Sequence, residues 1–171
     1  MSTLIPAWVD GGLIPVEKLE VHRRGLRHPA VSVFVMDGEW TLLQRRALGK
    51  YHTPGLWANA CCTHPAWQEP PMRCAQRRLQ EELGIADLLP VARGEVEYRA
   101  EVGGGLTEHE IVTLYTVAAS RATLRLRPNP DEVAEVRWIT LDDLETEVRE
   151  TPAQFTPWLR IYLGSHRELL R

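Results

Sequence analysis

The chain has 171 residues, 44% hydrophobic and 25% charged, which suits one globular domain with length enough to bury a core and leaves no room for a second. A formal net charge of -3 and a sequence pI near 6.1 exclude a general attraction to nucleic acid or to an anionic membrane, so an anionic ligand has to be held by a local cluster of cations. The segment Met1 to Trp8 has no basic start and no long apolar run, and the three cysteines (Cys61, Cys62, Cys74) are too few and odd in number for a disulfide framework, so a cytoplasmic chain with free thiols is expected.

In chain order, the first chemistry-bearing residues are His22 and His28, in the basic stretch Val21 to His28, which by itself reads as an exposed loop. Val31 to Met36 is a β-branched apolar run, Asp37-Gly38 a strong hairpin turn, and Trp40 to Gln44 the returning strand. Arg45-Arg46-Ala47-Leu48-Gly49-Lys50 is a basic strand exit. From Pro54 to Pro71, Pro, Trp, Cys and small residues alternate without helical or strand period, which predicts a structured loop. A helix follows: Pro70-Pro71 suit its first turn, Met72, Ala75, Leu79 and Leu83 share a face, and Gly84 stops it. Strands are expected over Glu95 to Ala100, Glu108 to Ala119 and Glu135 to Ile139, the first two joined by Gly103-Gly104-Gly105. Thr140 caps a helix over Leu141 to Glu150, and Thr156-Pro157 opens a final one. Mixed strands flanked by helices make this an α+β chain, a single domain over 1–171 with its core about 28–150.

Two placements follow from periodicity alone. Arg78 and Glu82 lie one helical turn apart, so a carboxylate able to bind a hard cation sits beside a guanidinium able to neutralise phosphate; the plain alternative is a pair of surface ion pairs worth about 0.3–0.5 kcal/mol each. On the strand 106–115, Glu108 and Glu110 share a face with Val112 and Leu114 while His109 points away. Two carboxylates buried without cations would cost several kcal/mol, so that face holds a metal or a base, or it is open to water.

The stretch Glu69, seven residues, Arg77, Leu79, then Glu81-Glu82-Leu83-Gly84-Ile85 resembles the Nudix helix, with Arg78 standing where a pyrophosphohydrolase has a catalytic Glu. The loop resembles the Trp-x-Asn-x-x-Cys-x-His-Pro signature of the type I isopentenyl diphosphate isomerase family, on Trp57, Asn59, Cys62, His64 and Pro65, with Thr63 where that family usually has Gly. Several expectations come with this resemblance. The fold is a Nudix-like α/β/α sandwich with a mixed β-sheet. Cys62 and Glu110, aided by Tyr98, are the acid and base of an allylic proton shift, and Cys61 only packs. His22, His28, His64, Glu108 and Glu110 hold Mn²⁺, Mg²⁺ or Zn²⁺, and Glu82 holds a Mg²⁺ on the diphosphate. Arg46, Lys50 and Arg78 bind that diphosphate, while Trp57 and Trp158 face the developing cation. The partner is then a small molecule, isopentenyl diphosphate, with neither nucleic acid nor membrane, and a monomer is the simpler expectation. Rival expectations are a Nudix pyrophosphohydrolase and an idle diphosphate-binding module.

Overall fold

The protein, a computed structural model, is described over residues 3–171; Met1 and Ser2, part of the segment expected to lack a leader, lie outside the described residues. It opens with a hairpin that the sequence pattern left unassigned. Strands β1 (Leu4–Val9) and β2 (Gly12–Glu17) pair antiparallel around Asp10 and Gly11, both at positive φ. The signal was present in Asp10-Gly11, a dipeptide that tolerates the left-handed turn. Helix α1 (Lys18–Arg24) follows, capped where the Glu17 side chain accepts from the Glu20 amide and ended by Gly25 in the left-handed region.

Strands β3 (Arg27–Asp37) and β4 (Trp40–Arg46) form the expected hairpin, but they pair only at Met36↔Thr41 and Asp37↔Trp40 before splaying apart. The wedge between them is filled by β5 (Trp57–Asn59) on β4 and β6 (Cys61–Thr63) on β3. The segment expected to be a loop thus contains two strands; at three residues each, neither is long enough to show a period. Asn59 pins the wedge, donating through its side-chain amide to Ser32 Oγ (2.8 Å), the Val33 carbonyl (2.9 Å) and the Cys61 carbonyl (3.0 Å). Helix α2 (Pro71–Leu83), strands β7 (Val91–Gly103), β8 (Leu106–Ala118) and β9 (Val133–Thr140), and helices α3 (Leu141–Glu150) and α4 (Pro157–Ser165) complete the chain, with Thr140 capping α3 as expected.

The sheet runs β5-β4-β3-β8-β7, with β9 also on β4, and its one parallel pair, β3 with β8, makes it mixed. One face carries Val31, Val33, Val35, Leu42 and Cys61 against Ala75, Leu79 and Leu83 of α2. The other carries Phe34, Leu43, Val112 and Leu114 against Leu144, Trp158, Leu159 and Tyr162. This is the expected α/β/α sandwich. Truncating a fully buried α2 leucine such as Leu79 would cost about 2–5 kcal/mol. Gly84 is obligatory at the end of α2: its φ is +69°, and a Cβ there would lie 2.7 Å from Arg127 Cβ. Among the described residues no helix is long and apolar enough to cross a membrane.

Candidate active site

Register builds the centre of the site. Glu110 on β8 sits opposite Tyr98 on β7 and His28 on β3, one row across the sheet. His64 follows β6, and His22 comes in from α1. Glu108 and Glu110 are 2% and 1% exposed, which removes the alternative of a solvated strand end. Glu110 Oε1 lies 2.8 Å from His64 Nε2 and 3.6 Å from His28 Nε2. The Tyr98 hydroxyl lies 2.9 Å from Glu108 Oε2 and 2.8 Å from Glu110 Oε2. One hydroxyl proton cannot serve two carboxylates, so one of the two acids carries a proton or a cation shares the pair.

His22, His28, His64 and Glu110 each offer a ligand atom, all within 4.8 Å of one another, and His22, His52 and Glu108 do the same. The donor chemistry fits a divalent cation. Nδ1 of His22 faces the Lys18 carbonyl at 2.6 Å and Nδ1 of His28 the Leu26 carbonyl at 2.7 Å, which leaves both Nε2 atoms aimed inward. Those two Nε2 atoms are buried with no hydrogen-bond partner among the described residues. Burying such atoms costs about 1–3 kcal/mol each unless something is bound.

Burial, the largest influence, pulls the imidazoles below their ordinary value, to about 4 for His22, to about 2 for His52 and well below for His64. Burial also pushes Glu110 up, but His28 and His64 outweigh it and hold the carboxyl well below the usual range, whereas burial and then Glu110 push Glu108 well above it. The consequence for stability has a definite sign. Below about pH 6.5 the three imidazoles charge in the unfolded chain and stay neutral in the folded one, so unfolding takes up protons. Glu108 opposes this, since its folded carboxyl keeps a proton that the unfolded chain releases, yet one carboxyl against three imidazoles leaves net uptake. Chelator-treated protein is therefore expected to lose about 1–2 kcal/mol between about pH 7 and pH 5.5. The urea midpoint measures it, and a midpoint that holds or rises on acidification would contradict the placement of these rings.

The carboxylates line a cavity of about 20 Å³, room for roughly one water. Lys18, Arg46, Lys50 and Arg78 line it, with Glu82, Glu132 and Trp158. Arg46 has an unpartnered Nε and lies 5.3 Å over the Trp158 ring. Arg78 contacts Glu82 at 2.7 Å and Glu132 at 3.2 Å, and Lys50 pairs with Glu132. Glu82 is held besides by the Gln44 amide at 2.8 Å. Lys18, missed in the sequence, has its amine lowered to about 8 by burial and then by Lys50, Arg78 and Arg46. Its signal was the four-residue spacing to His22 on one helix face. Among the larger surface grooves, those of about 580 and 440 Å³ run along α2 and the turn after it, and among the described residues no buried cluster of ionisable groups opens onto these two.

Strand alternation separates the thiols: Cys61 is buried in the core under α2, while Cys62 lines the cavity. All three cysteines are free. With no ion bound, burial, then Glu110 and Glu108, push the Cys62 thiol well above its ordinary value. The expectation for Trp57 is corrected. Its ring stacks 4.6 Å from the Arg137 guanidinium and packs against the core, away from the cavity lining. Trp158, Tyr98, Glu108, Glu110, His64, Cys62, Arg46, Lys50, Arg78 and Glu82 are brought to one place, and His22 and His28 border it.

A mixed sheet of this topology with α2 packed across one face is the fold of the Nudix class of proteins. The NUDIX domain family model matches residues 26–159. The chain is 62% identical over 168 residues to the isopentenyl-diphosphate Delta-isomerase of Dinoroseobacter shibae, covering 98% of this chain and 95% of that one. The enzyme of the same name from Cereibacter sphaeroides is also 62% identical, over 98% and 94% of the two chains. Among solved structures, DR0079 from Deinococcus radiodurans superposes with a TM-score of 0.74 at 13% identity over 98% and 99% of the two chains, a likeness of fold. The chain belongs to the isopentenyl-diphosphate Delta-isomerase family, within the Nudix fold.

Proposed function

We infer that this protein interconverts isopentenyl diphosphate and dimethylallyl diphosphate by a reversible 1,3-allylic proton shift. The observation that carries the mechanism is one cavity lined by a thiol, a tyrosine-bridged carboxylate pair and four cations. An unactivated alkene is a poor base, so the reaction needs an acid on one side of the carbon skeleton and a base on the other, around a carbocation-like intermediate. Glu110 and Cys62 are assigned to these roles. In the forward direction Glu110 gives a proton to the terminal alkene carbon and Cys62 removes one from the allylic carbon. One forward turnover starts from a Cys62 thiolate and a protonated Glu110 and leaves a Cys62 thiol and a Glu110 carboxylate, the charge state that the surrounding groups favour, so one proton passes back from Cys62 to Glu110 before the next turnover. The Tyr98 hydroxyl, hydrogen-bonded to both Glu108 and Glu110, offers a relay for that returning proton. The Trp158 ring presents a π face to the cation, worth about 2 kcal/mol when dry.

His22, His28, His64, Glu108 and Glu110 would hold a divalent ion, for which Mn²⁺, Mg²⁺ and Zn²⁺ all suit the donors, and Glu82 would share a Mg²⁺ with the diphosphate. Such ions supply positive charge that offsets the carboxylates and the diphosphate. Lys18, Arg46, Lys50 and Arg78 bind the diphosphate, whose oxygens replace the Glu132 carboxylate on Lys50 and Arg78 as the closed cavity opens. The protein acts as a single domain on a small-molecule substrate, and its three free thiols suit the cytosol.

The direct test is incubation with isopentenyl diphosphate and Mg²⁺: dimethylallyl diphosphate is expected, with no phosphate released, and stoichiometric phosphate or pyrophosphate would return the chain to hydrolysis. The clamp has its own test. Arg78→Ala is expected to weaken substrate binding about 10- to 100-fold, the loss of a buried charge-assisted contact worth roughly 1.5–3 kcal/mol. An unchanged dissociation constant would leave Arg78 as a helix-surface partner of Glu81 and Glu82.

A further inference from the structure

We propose that His52, from the loop after β4, is a further ligand of the divalent ion in the histidine–glutamate cluster, entering from the Glu108 side through Nε2. The proposal rests on the metal centre assigned above and adds to it a residue from outside every motif the sequence displays.

Three observations converge on it. The ring is buried, and its Nε2 lies 3.6 Å from Glu108 Oε1, too far for a hydrogen bond but close to the spacing of two donors that each reach an ion at about 2.1 Å. Its Nδ1 is occupied 3.1 Å away by Thr53 Oγ1, as the Nδ1 atoms of His22 and His28 are occupied by carbonyls. In all three rings the outer nitrogen is engaged by an oxygen of the chain and Nε2 is left facing the cluster, the arrangement that orients histidine ligands. Finally, His22 belongs both to the group His22-His52-Glu108 and to the group His22-His28-His64-Glu110, so a ligand atom of this one ring lies within 4.8 Å of the donors of each.

The surroundings keep this ring neutral, as a ligand must be. Burial and then the Arg46 guanidinium disfavour its charged form. Tyr51 at 4.4 Å and Trp158 at 6.0 Å, both edge-on, hold its plane, and Thr53 turns the loop inward at φ +46°, a region that residues with a Cβ avoid. Four imidazoles and two carboxylates make a nitrogen-rich shell. Such a shell favours Co²⁺, Zn²⁺ and Mn²⁺ over Mg²⁺.

The test is proton NMR of the full chain loaded with Co²⁺ and ¹⁵N-labelled at histidine, in which every ligated imidazole contributes one hyperfine-shifted, exchangeable N–H. Four such signals are expected in the wild type and three in His52→Ala, together with a Co²⁺ affinity lowered at least about tenfold and a smaller loss for Mg²⁺. Three signals in the wild type would overturn the proposal while leaving the five-residue centre in place, as would four in His52→Ala. No shifted signals at all would overturn the centre and the proposal together. The wild-type count decides the matter even if the alanine variant does not fold, and His52→Gln supplies a second variant of closer volume.

Discussion

Replacing Cys62 by alanine is expected to lower kcat by at least about 10²–10⁴, the usual cost of deleting a proton-transfer group, with the fold and the divalent-ion content unchanged. Cys62 lines the cavity and contributes no donor to the two ligand groups, so its loss removes a reactant without opening the metal centre. The neighbouring substitution is the control. Cys61 is fully buried beneath α2 with its sulfur 3.7 Å from Glu82 Oε1, so Cys61→Ala should cost on the order of 1 kcal/mol of stability and only a small part of the rate. An alkylating analogue of the substrate should label Cys62 alone. Near-normal turnover in Cys62→Ala, or a label mapped to Cys61, would reverse the assignment of the two thiols.

Glu110→Gln is expected to have the other large effect, and a different signature. The Glu110 carboxylate faces His64, His28 and the Tyr98 hydroxyl at once, so an amide of the same size removes a proton carrier and one anionic donor together. Turnover should fall by at least about 10²–10⁴ and the bound ion should be lost or held more weakly, by about 10–100-fold. Metal analysis after gel filtration, paired with kinetics, separates this variant from Cys62→Ala. Combining the two substitutions should cost little more than the worse of them, because groups acting on one proton shift are not independent. A Glu110→Gln protein that keeps both its ion and its rate would remove Glu110 from the mechanism.

Much of this site is legible in the sequence because it travels in short segments. Trp57 to Pro65 carries Cys62 and His64 within a few residues, and the two-residue alternation of β8 is enough to put Glu108 and Glu110 on one face. The α2 stripe and its Gly84 stop are equally local, each set by a period of 3.6 or by a residue that alone tolerates the left-handed turn. Trp57 misled because a signature names a residue and says nothing of its direction: in β5 the ring turns toward Arg137.

Sequence by itself determined the elements from β3 to α4 apart from the short β5 and β6, the α+β class, the two thiols and the paired carboxylates, since these depend on interactions a few residues apart. Tertiary structure alone decided that β3 lies parallel to β8, which places His28 beside Glu110 although they are far apart along the chain. It alone drew Lys18, His22 and His52 inward, and it alone raised the Cys62 thiol and pushed the two carboxyls in opposite directions, Glu108 up and Glu110 down. The physical reason is common to all of these. Charge state and ligation depend on which groups desolvate one another, and desolvation is a property of packing between elements that no local period encodes.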